Sequence, residues 1–227
     1  MRTLFRTAGR RLVRDILALS VAAAFVGLSY GAIAVASGVP PWAVISMSLL
    51  VFAGGSQFLA VALLAAGSPV AAVLGGLLLN ARHLPFGLAV ADVLAGSLPK
   101  RLIGAHLMID ESVAFAMAQG DQARRRAAYW LTGMSLFVLW QTGTVLGVVI
   151  GSAVGDPAQY GLDAAFPAAL LALILPSLRE AVGLQVAVLG SAIAVVTTFF
   201  LPAGLPILLS LLGLAAAWRR KRAEVRA

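Results

Sequence analysis

No charged side chain occurs between Asp15 and Arg82. This run begins ILALSVAAAFVGLSYGAIAVAS at residues 16–37 and ends VLGGLLLNA at residues 73–81. Its 66 residues would form about 100 Å of helix at ~1.5 Å per residue, enough for about three passages through a hydrocarbon layer ~30 Å thick. Backbone groups in lipid must be hydrogen-bonded internally, and the apolar runs are continuous rather than alternating. The pattern therefore predicts membrane-spanning α-helices rather than a β-barrel.

The composition of all 227 residues supports the same fold class. Charged residues make up 11% of the chain, whereas a soluble domain carries roughly 25%. Hydrophobic residues make up 61%, and the mean hydropathy is +0.97. We expect an all-α polytopic membrane bundle of about six to eight membrane segments, some of them broken helices.

Basic residues are clustered rather than spread, although the net charge is +8. Five arginines lie within the first fourteen residues, three stand at 124–126, and the tail reads RRKR at 219–222. This distribution is typical of positive-inside topology signals next to anionic lipid, and it argues against nucleic acid as a partner. We expect a basic amphipathic cytoplasmic segment at 1–15, one transmembrane domain at 16–218 and a basic cytoplasmic tail at 219–227.

Eight candidate segments can be assigned from hydropathy and from breaks at proline and glycine. They cover residues 16–37, 42–66, 70–98, 102–119, 127–153, 164–178 and 181–200, with a last one ending at Trp218. All eight cross the membrane in one topology. In the other, six cross, because a glycine break folds 42–66 into a re-entrant pair and 102–119 stays at the cytoplasmic side. Both topologies place the two termini in the cytoplasm.

A faint internal repeat also appears, at offsets of 114 to 117 residues. Its matches pair Gly31, Pro40, Phe52 and Gly75 with Gly147, Pro157, Phe166 and Gly190. Many transporters contain such repeats, but glycines and prolines in so biased a composition also match by chance, and both interpretations stay open.

The first polar group is Gly54-Gly55-Ser56-Gln57, inside segment 42–66. Two adjacent glycines disfavour helix by about 1 kcal/mol each, and Ser and Gln can cap the freed backbone groups. A helix that restarts there would point its N–H groups and positive dipole end at a substrate carboxylate. The alternative is close helix packing through small residues, with Gln57 as an interhelical hydrogen-bonding residue.

The second group is Asn80, Arg82 and His83. On a regular helix Asn80 and His83 share one side, which makes them candidate substrate-binding residues, while Arg82 points about 200° away from Asn80. Pro85 would leave the Ala81 carbonyl without its helical donor, so we expect a distorted helix there. An arginine at mid-depth needs a partner or a wet cavity. The alternative is that Arg82 snorkels or pairs for purely structural reasons.

The third group is Asp110-Glu111, at the middle of a predicted apolar helix over 102–119. Adjacent carboxyl groups would have raised pKa values if buried, which would make one of them a candidate proton carrier. Asp110 or Glu111 is the expected partner of Arg82, with Asp92 as the alternative. A cytoplasmic loop or a purely structural pair would also explain them.

Enzyme motifs are absent where they can be checked. The chain has no cysteine, only two histidines, no His-Glu-x-x-His motif and no phosphate-binding glycine loop. We therefore expect neither an enzyme nor a cofactor or metal.

These groups, in this order, resemble the AzlC-type branched-chain amino acid permease family. The matching stretches are GLSYG at 27–31, FAGGSQF at 52–58, NARH at 80–83, DE at 110–111 and LDAAFPA at 162–168. The resemblance covers nearly the full length, and it adds Asp163 to the candidate ion-pair or coupling residues Arg82, Asp110 and Glu111. One departure is Pro85-Phe86, because an aromatic residue commonly follows the Arg-His pair at a slightly different spacing.

The resemblance implies a secondary transporter of the bacterial inner membrane. Such a protein would export leucine, isoleucine and valine, and in some members methionine, driven by the proton-motive force. It would act with a small hydrophobic AzlD-type membrane subunit. Two other function classes stay open: a channel or ion antiporter, which needs a continuous polar pore lining, and an assembly subunit without a substrate site of its own.

Overall fold

The computed structural model describes residues 2–153, 178–201 and 205–215, together with isolated positions at 159, 161, 164, 168, 171, 174 and 175. These residues form helices and no strand, so the predicted all-helical class is confirmed. The helices are α1 (Arg2–Ala36), α2 (Pro41–Leu50), α3 (Gly54–Ala65), α4 (Pro69–Asn80), α5 (His83–Ala89), α6 (Leu98–His106), α7 (Asp110–Met117), α8 (Gln122–Ala153), α9 (Ala181–Thr198) and α10 (Leu205–Ser210), followed by a 3₁₀ turn at Leu211–Gly213.

Among the residues that the structure describes, four helical stretches are long and apolar enough to cross a membrane: Thr7–Ala36, Pro69–Ala89, Gln122–Ala153 and Ala181–Thr198. Two shorter apolar helices, α2 and α3, accompany them. Segment 164–178 lies almost wholly outside the described residues, as do the tail at 219–227 and the repeat positions Pro157 and Phe166. The number of crossings and the internal repeat therefore stay predictions.

The chain divides into two compact units. Unit 1 comprises Met1–Phe58 and Gly76–Phe166, and unit 2 comprises Leu59–Gly75 and Pro167–Ala227. In unit 2, α9 packs closely on α10 and the following turn, where a Cβ at Gly190 would lie 2.9 Å from the Ser210 carbonyl oxygen. Each described residue that the sequence singles out for function lies in unit 1.

Helices α1 and α8 form the frame of unit 1 and run parallel. Gly143 packs on the backbone of Ala24, and Gly147 on that of Leu28, one turn further along both helices. Small residues at four-residue spacing allow such close approach. Because the helices are parallel, Arg10, Arg11 and Arg14, which follow the kink at Gly9 in α1, lie at the same end of unit 1 as the arginines at 124–126 of α8. We call this the Arg-rich end, and the opposite one the far end.

Residues 41–58 form a hairpin, here called hairpin A, that bends at 51–53. Tyr30 Oη lies 3.5 Å from the Val44 carbonyl oxygen, and Trp140 Nε1 donates to Ser48 Oγ at 3.1 Å. Helix α2 therefore descends from the far end along α8. Gly54 then packs on Trp140, and the Phe58 ring lies 5.5 Å from that of Tyr30, so α3 turns back. The predicted break is confirmed, with the glycine pair opening the second helix.

Residues 98–117 form a second hairpin, hairpin B, which enters from the Arg-rich end. Tyr129 Oη donates to the Gly104 carbonyl oxygen at 2.8 Å. A Cβ at Gly133 would lie 3.1 Å from Leu107 Cβ. Helix α7 returns to the Arg-rich end, where Arg125 Nη2 lies 3.3 Å from Met117 Sδ.

The prediction of one helix over 102–119 with Asp110-Glu111 at its middle was wrong. The chain breaks at 107–109, and both carboxyl groups lie in the first turn of α7. Ser112 Oγ accepts the Ile109 N–H at 3.0 Å and donates to the Ile109 carbonyl oxygen at 2.9 Å. This cap, together with the preference of carboxylates for a helix N-terminus, favours a helix start at Asp110.

The predicted distortion near Pro85 is confirmed, since α4 ends at Asn80 and α5 begins at His83. The predicted segment 70–98 is shorter than expected, because helix ends at Ala89. Val90 and Val93 then pack with Tyr129 of α8 in a buried cluster. Within unit 1, the chain from Gly76 to Val93 therefore leads toward the Arg-rich end.

Candidate functional site

Three helix interruptions, at 51–53, 81–82 and 107–109, come together in unit 1. The Phe52 ring, in the bend of hairpin A, lies 5.1 Å from the Phe137 ring of α8. The His106 ring, at the bend of hairpin B, lies 5.5 Å from the same Phe137 ring. Arg82, in the turn between α4 and α5, reaches hairpin B through Asp110. The polar residues of the three sequence motifs are thus brought close together.

Arg82 forms an ion pair with Asp110. Its Nη1 lies 2.6 Å from Asp110 Oδ2, and the two side chains are 34% and 28% exposed. Asp92, the alternative partner, instead lies 3.4 Å from Arg125. Glu111 is half-buried next to Asp110. The structure therefore selects one of the three carboxylates that the sequence left open.

The other side of the Arg82 guanidinium faces the start of α3. A Cβ at Gly55 would lie 3.8 Å from Arg82 Nη2 and 3.4 Å from Leu79. Arg82 therefore lies between the first turns of α3 and α7, both of which carry the positive end of a helix dipole. Helix α7 has two carboxyl groups in its first turn, whereas α3 has none. The positive end of the α3 dipole therefore has no carboxyl group of its own first turn to compensate it, and it could bind an anion.

The side-chain amide of Gln57, one turn into α3, is buried, and the Tyr30 hydroxyl is close enough to interact with it outside ideal hydrogen-bond geometry. Its side chain is 1% exposed, and neither Oε1 nor Nε2 has a partner at hydrogen-bond geometry. The hydroxyl of Tyr30 lies close by. Buried amides without partners are rare in folded proteins, because removing them from water costs free energy that only a hydrogen bond restores.

Ser56, Asn80 and His83 fasten the start of α3 to the end of α4. Ser56 Oγ donates to Asn80 Oδ1 at 2.5 Å, and His83 Nδ1 lies 2.8 Å from the Asn80 carbonyl oxygen. Asn80 and His83 thus meet across the 81–82 turn rather than along one regular helix. Together these side chains fix the position of the α3 N-terminus against the Arg82 turn.

Aromatic residues that sequence reasoning missed line the other side of α3. The Trp140 ring stacks on that of Tyr30 at 6.1 Å. A Cβ at Gly54 would lie 2.8 Å from Trp140 Cη2, so only glycine fits at this close approach. A tryptophan in the middle of a 32-residue apolar helix is itself a signal, because tryptophan prefers the membrane interface.

Arg125 and Ser48 were also missed. Arg125 Nη2 donates to the Ala89 carbonyl oxygen at 3.1 Å, and Ser48 meets three side chains of α8. Asp163 lies outside the described residues. Within the part of the chain that the structure describes, no three His, Asp or Glu side chains converge as a metal site would require.

Comparison with known proteins identifies the family to which this chain is related. The model of the AzlC protein family matches residues 18–154, which include the three interruptions. The chain is 31% identical over 199 residues to the inner membrane protein YgaZ of Escherichia coli (strain K12), covering 83% of this chain and 81% of that one. It is 27% identical over 209 residues to the branched-chain amino acid transport protein AzlC of Bacillus subtilis (strain 168), covering 88% and 82%. No solved structure matches. The chain belongs to the AzlC family.

Proposed function

We propose that this chain is a secondary transporter that exports leucine, isoleucine, valine and methionine across the bacterial inner membrane. The name of the Bacillus subtilis relative, a branched-chain amino acid transport protein, supports the substrate class. We further propose that the proton-motive force drives export, that a small hydrophobic AzlD-type subunit takes part, and that both termini lie in the cytoplasm. The shared Arg-rich end of α1 and α8 supports this orientation through the positive-inside rule.

The substrate carboxylate is proposed to bind at the N-terminus of α3. There the first-turn N–H groups of Gly54 and Gly55 have no preceding helical carbonyl. Arg82 Nη2 lies alongside, while Nη1 holds Asp110. A carboxylate in this position would meet a helix dipole and a guanidinium together, an arrangement that membrane transporters use for anionic groups at broken helices.

The buried Gln57 amide is the observation that carries this assignment. Its Oε1 can accept from a substrate ammonium group, and its Nε2 can donate to a carboxylate oxygen. The neighbouring Trp140 and Tyr30 rings offer an apolar wall for an aliphatic side chain. A zwitterion with an apolar side chain could therefore bind the Gln57 amide through its charged groups and the two aromatic rings through its side chain.

Proton coupling is proposed to act through the carboxyl groups at the start of α7. Protonation of this pair would weaken the attraction between Asp110 and Arg82 and release hairpin B from the α4–α5 turn. Substrate carboxylate at α3 would act on the same guanidinium from the other side. One arginine would then link substrate, proton and hairpin, as coupling through a population shift requires.

Gln57→Leu tests the site. Since the Tyr30 hydroxyl beside the amide lies outside ideal hydrogen-bond geometry, the substitution should change stability by no more than about 1 kcal/mol, while leucine efflux falls at least about tenfold, the equivalent of ~1.4 kcal/mol. Efflux is measured from dipeptide-loaded cells, and stability by thermal unfolding in detergent.

Gln119→Leu is the matched control, because Gln119 lies beyond α7 and bonds only locally, to the Phe115 carbonyl oxygen at 3.2 Å. Its efflux should equal that of the unsubstituted chain. Unchanged efflux in Gln57→Leu would contradict the proposal, as would a loss of efflux that merely follows a loss of stability.

A further inference from the structure

Hairpins A and B approach the same level of α8 from opposite ends. Along α8, hairpin B contacts Arg125, Tyr129 and Gly133, and hairpin A contacts Trp140 and Thr144. Phe137 lies between the two sets and touches both bends, through Phe52 and His106. The hairpins are therefore opposed in direction, and their bends meet beside Phe137, with the ring centroids of Phe52 and His106 6.5 Å apart.

The hydrogen bonds that the structure shows between hairpin A and α8 converge on a single residue, Ser48, while Phe52 and Gly54 pack on Phe137 and Trp140. Ser48 Oγ accepts from Trp140 Nε1 at 3.1 Å and lies 3.4 Å from Thr144 Oγ1. The Ser48 carbonyl oxygen accepts from Gln141 Nε2 at 2.9 Å. Three side chains on one face of α8, those of Trp140, Gln141 and Thr144, thus contact one serine of α2. We call this set the Ser48 latch.

Near the Arg-rich end, Arg125 holds the end of hairpin B, through Met117, together with the chain that precedes hairpin B, through Ala89 and Asp92. Its Nη2 reaches the Ala89 carbonyl oxygen at 3.1 Å, Asp92 Oδ1 at 3.4 Å and Met117 Sδ at 3.3 Å. These contacts join the start of α8 to the end of α5 and to the end of α7. We call this set the Arg125 latch. Its neighbour Arg124 is unlike it, because Arg124 is 61% exposed and pairs with Asp121 one turn away.

We propose that the two hairpins are separate gates to the site at Arg82 and the α3 N-terminus. Release of the Arg125 latch opens hairpin B toward the Arg-rich end, and release of the Ser48 latch opens hairpin A toward the far end. Arg125 and Ser48 are positioning residues, since neither is among the groups proposed to contact the substrate; Ser48 reaches that site through Trp140. The inference rests on the proposed function for what the gates serve, but the geometry of the two latches stands without it.

One-sided access follows from the opposed directions of the hairpins. Neither latch includes a residue of the other hairpin, although the bends are in contact beside Phe137 through Phe52 and His106. Displacing hairpin B therefore leaves the contacts of hairpin A with Trp140 and Thr144 in place, and the reverse also holds. A transporter needs this independence, because opening both sides at once would dissipate the gradient.

The test uses a reporter cysteine in a chain that has no other. Ala53→Cys places a thiol in the bend of hairpin A, where Ala53 is 5% exposed. A membrane-impermeant thiol reagent is added, without substrate, to right-side-out or to inside-out vesicles. Arg125→Gln should raise the labelling rate about tenfold from one face only, the rise expected when a minor open state becomes more populated. Ser48→Ala should raise it from the opposite face only.

Arg124→Gln is the matched control and should leave labelling from both faces unchanged. Asp92→Asn, which weakens the Arg125 latch from its other side, should reproduce Arg125→Gln and covers the case in which Arg125→Gln does not fold. The proposal is overturned if both latch variants raise labelling from the same face, if either raises it equally from both, or if neither Arg125→Gln nor Asp92→Asn changes it. The readout needs no transport, so it succeeds or fails independently of the substrate assignment.

Discussion

The Arg82–Asp110 pair allows a quantitative prediction. We consider Arg82→Gln, Asp110→Asn and the double variant: Asp110→Asn keeps the side-chain shape, and Arg82→Gln leaves a shorter, neutral side chain that can still form hydrogen bonds. With Nη1 and Oδ2 at 2.6 Å, the charge centres are about 4 Å apart, and their attraction is about 4 kcal/mol at an effective dielectric constant of ~20. Because about a third of each side chain is exposed, screening and desolvation reduce the net coupling to about 1–2 kcal/mol.

Each single variant leaves one charge without its partner, at a cost of about 2 kcal/mol that corresponds to roughly a 30-fold change. The double variant removes both charges and should be no worse than the poorer single variant. The four proteins are compared by thermal unfolding in detergent and by leucine efflux from dipeptide-loaded cells. Losses that add within about 0.5 kcal/mol in both measurements would refute the interpretation that these residues act as a pair.

Two further predictions concern packing and pH. Gly147→Val should destabilise the chain by about 3 kcal/mol, because the added Cβ would overlap the Leu28 backbone, and backbone moves less easily than side chains. The control is Gly76→Ala, which adds a methyl group where nothing lies within 4 Å. Equal unfolding temperatures for the two variants would contradict the packing of α1 on α8. Glu111→Gln should flatten the pH profile of efflux between roughly pH 5 and 8, since it removes one of the two adjacent carboxyl groups proposed to carry the proton. A pH profile that keeps its shape in this variant would exclude Glu111 as the proton carrier.

The sequence predicts breaks close to those at residues 51–53 and 81–82 because their causes are local, although the first was expected at residues 54–57 and lies just before them. Two adjacent glycines weaken the helix before Gln57, and Pro85 removes a helical donor just after Arg82. The break at 107–109 has no such signal, since its residues are Leu, Met and Ile. It depends on the contact of Leu107 with Gly133 and on the Ser112 cap, and an acidic pair followed by serine was the only local hint of a helix start.

The sequence likewise predicted that Arg82 has a carboxylate partner but did not identify which one. The cost of a charge in lipid predicts that a partner exists, and Asp92 is nearer in sequence than Asp110. The choice is made by the fold, because hairpin B brings the start of α7 to the 81–82 turn, while Asp92 lies at the Arg-rich end beside Arg125. Ser48 and Trp140 were not identified from the sequence for the same reason, because they are far apart in sequence and only the fold brings them into contact.

The parallel arrangement of α1 and α8 constrains how two-sided access can arise in this fold. Gly31 and Gly147, which the sequence paired as repeat positions, are in direct contact, with a Cβ at Gly31 lying 3.1 Å from the Gly147 carbonyl carbon. A repeat that maps α1 onto α8 is therefore of the parallel kind, and a parallel repeat presents equivalent elements to the same side of the membrane. Opposed elements are found instead within unit 1, where hairpins A and B reach Phe137 from opposite ends. The asymmetry between the two sides thus resides in the hairpins and their different latches, one made of neutral hydrogen bonds at Ser48 and the other of an arginine at the Arg-rich end. Of the two latches, the one at Arg125 contains an ion pair, with Asp92 at 3.4 Å, so its strength depends on charge more than that of the Ser48 latch does.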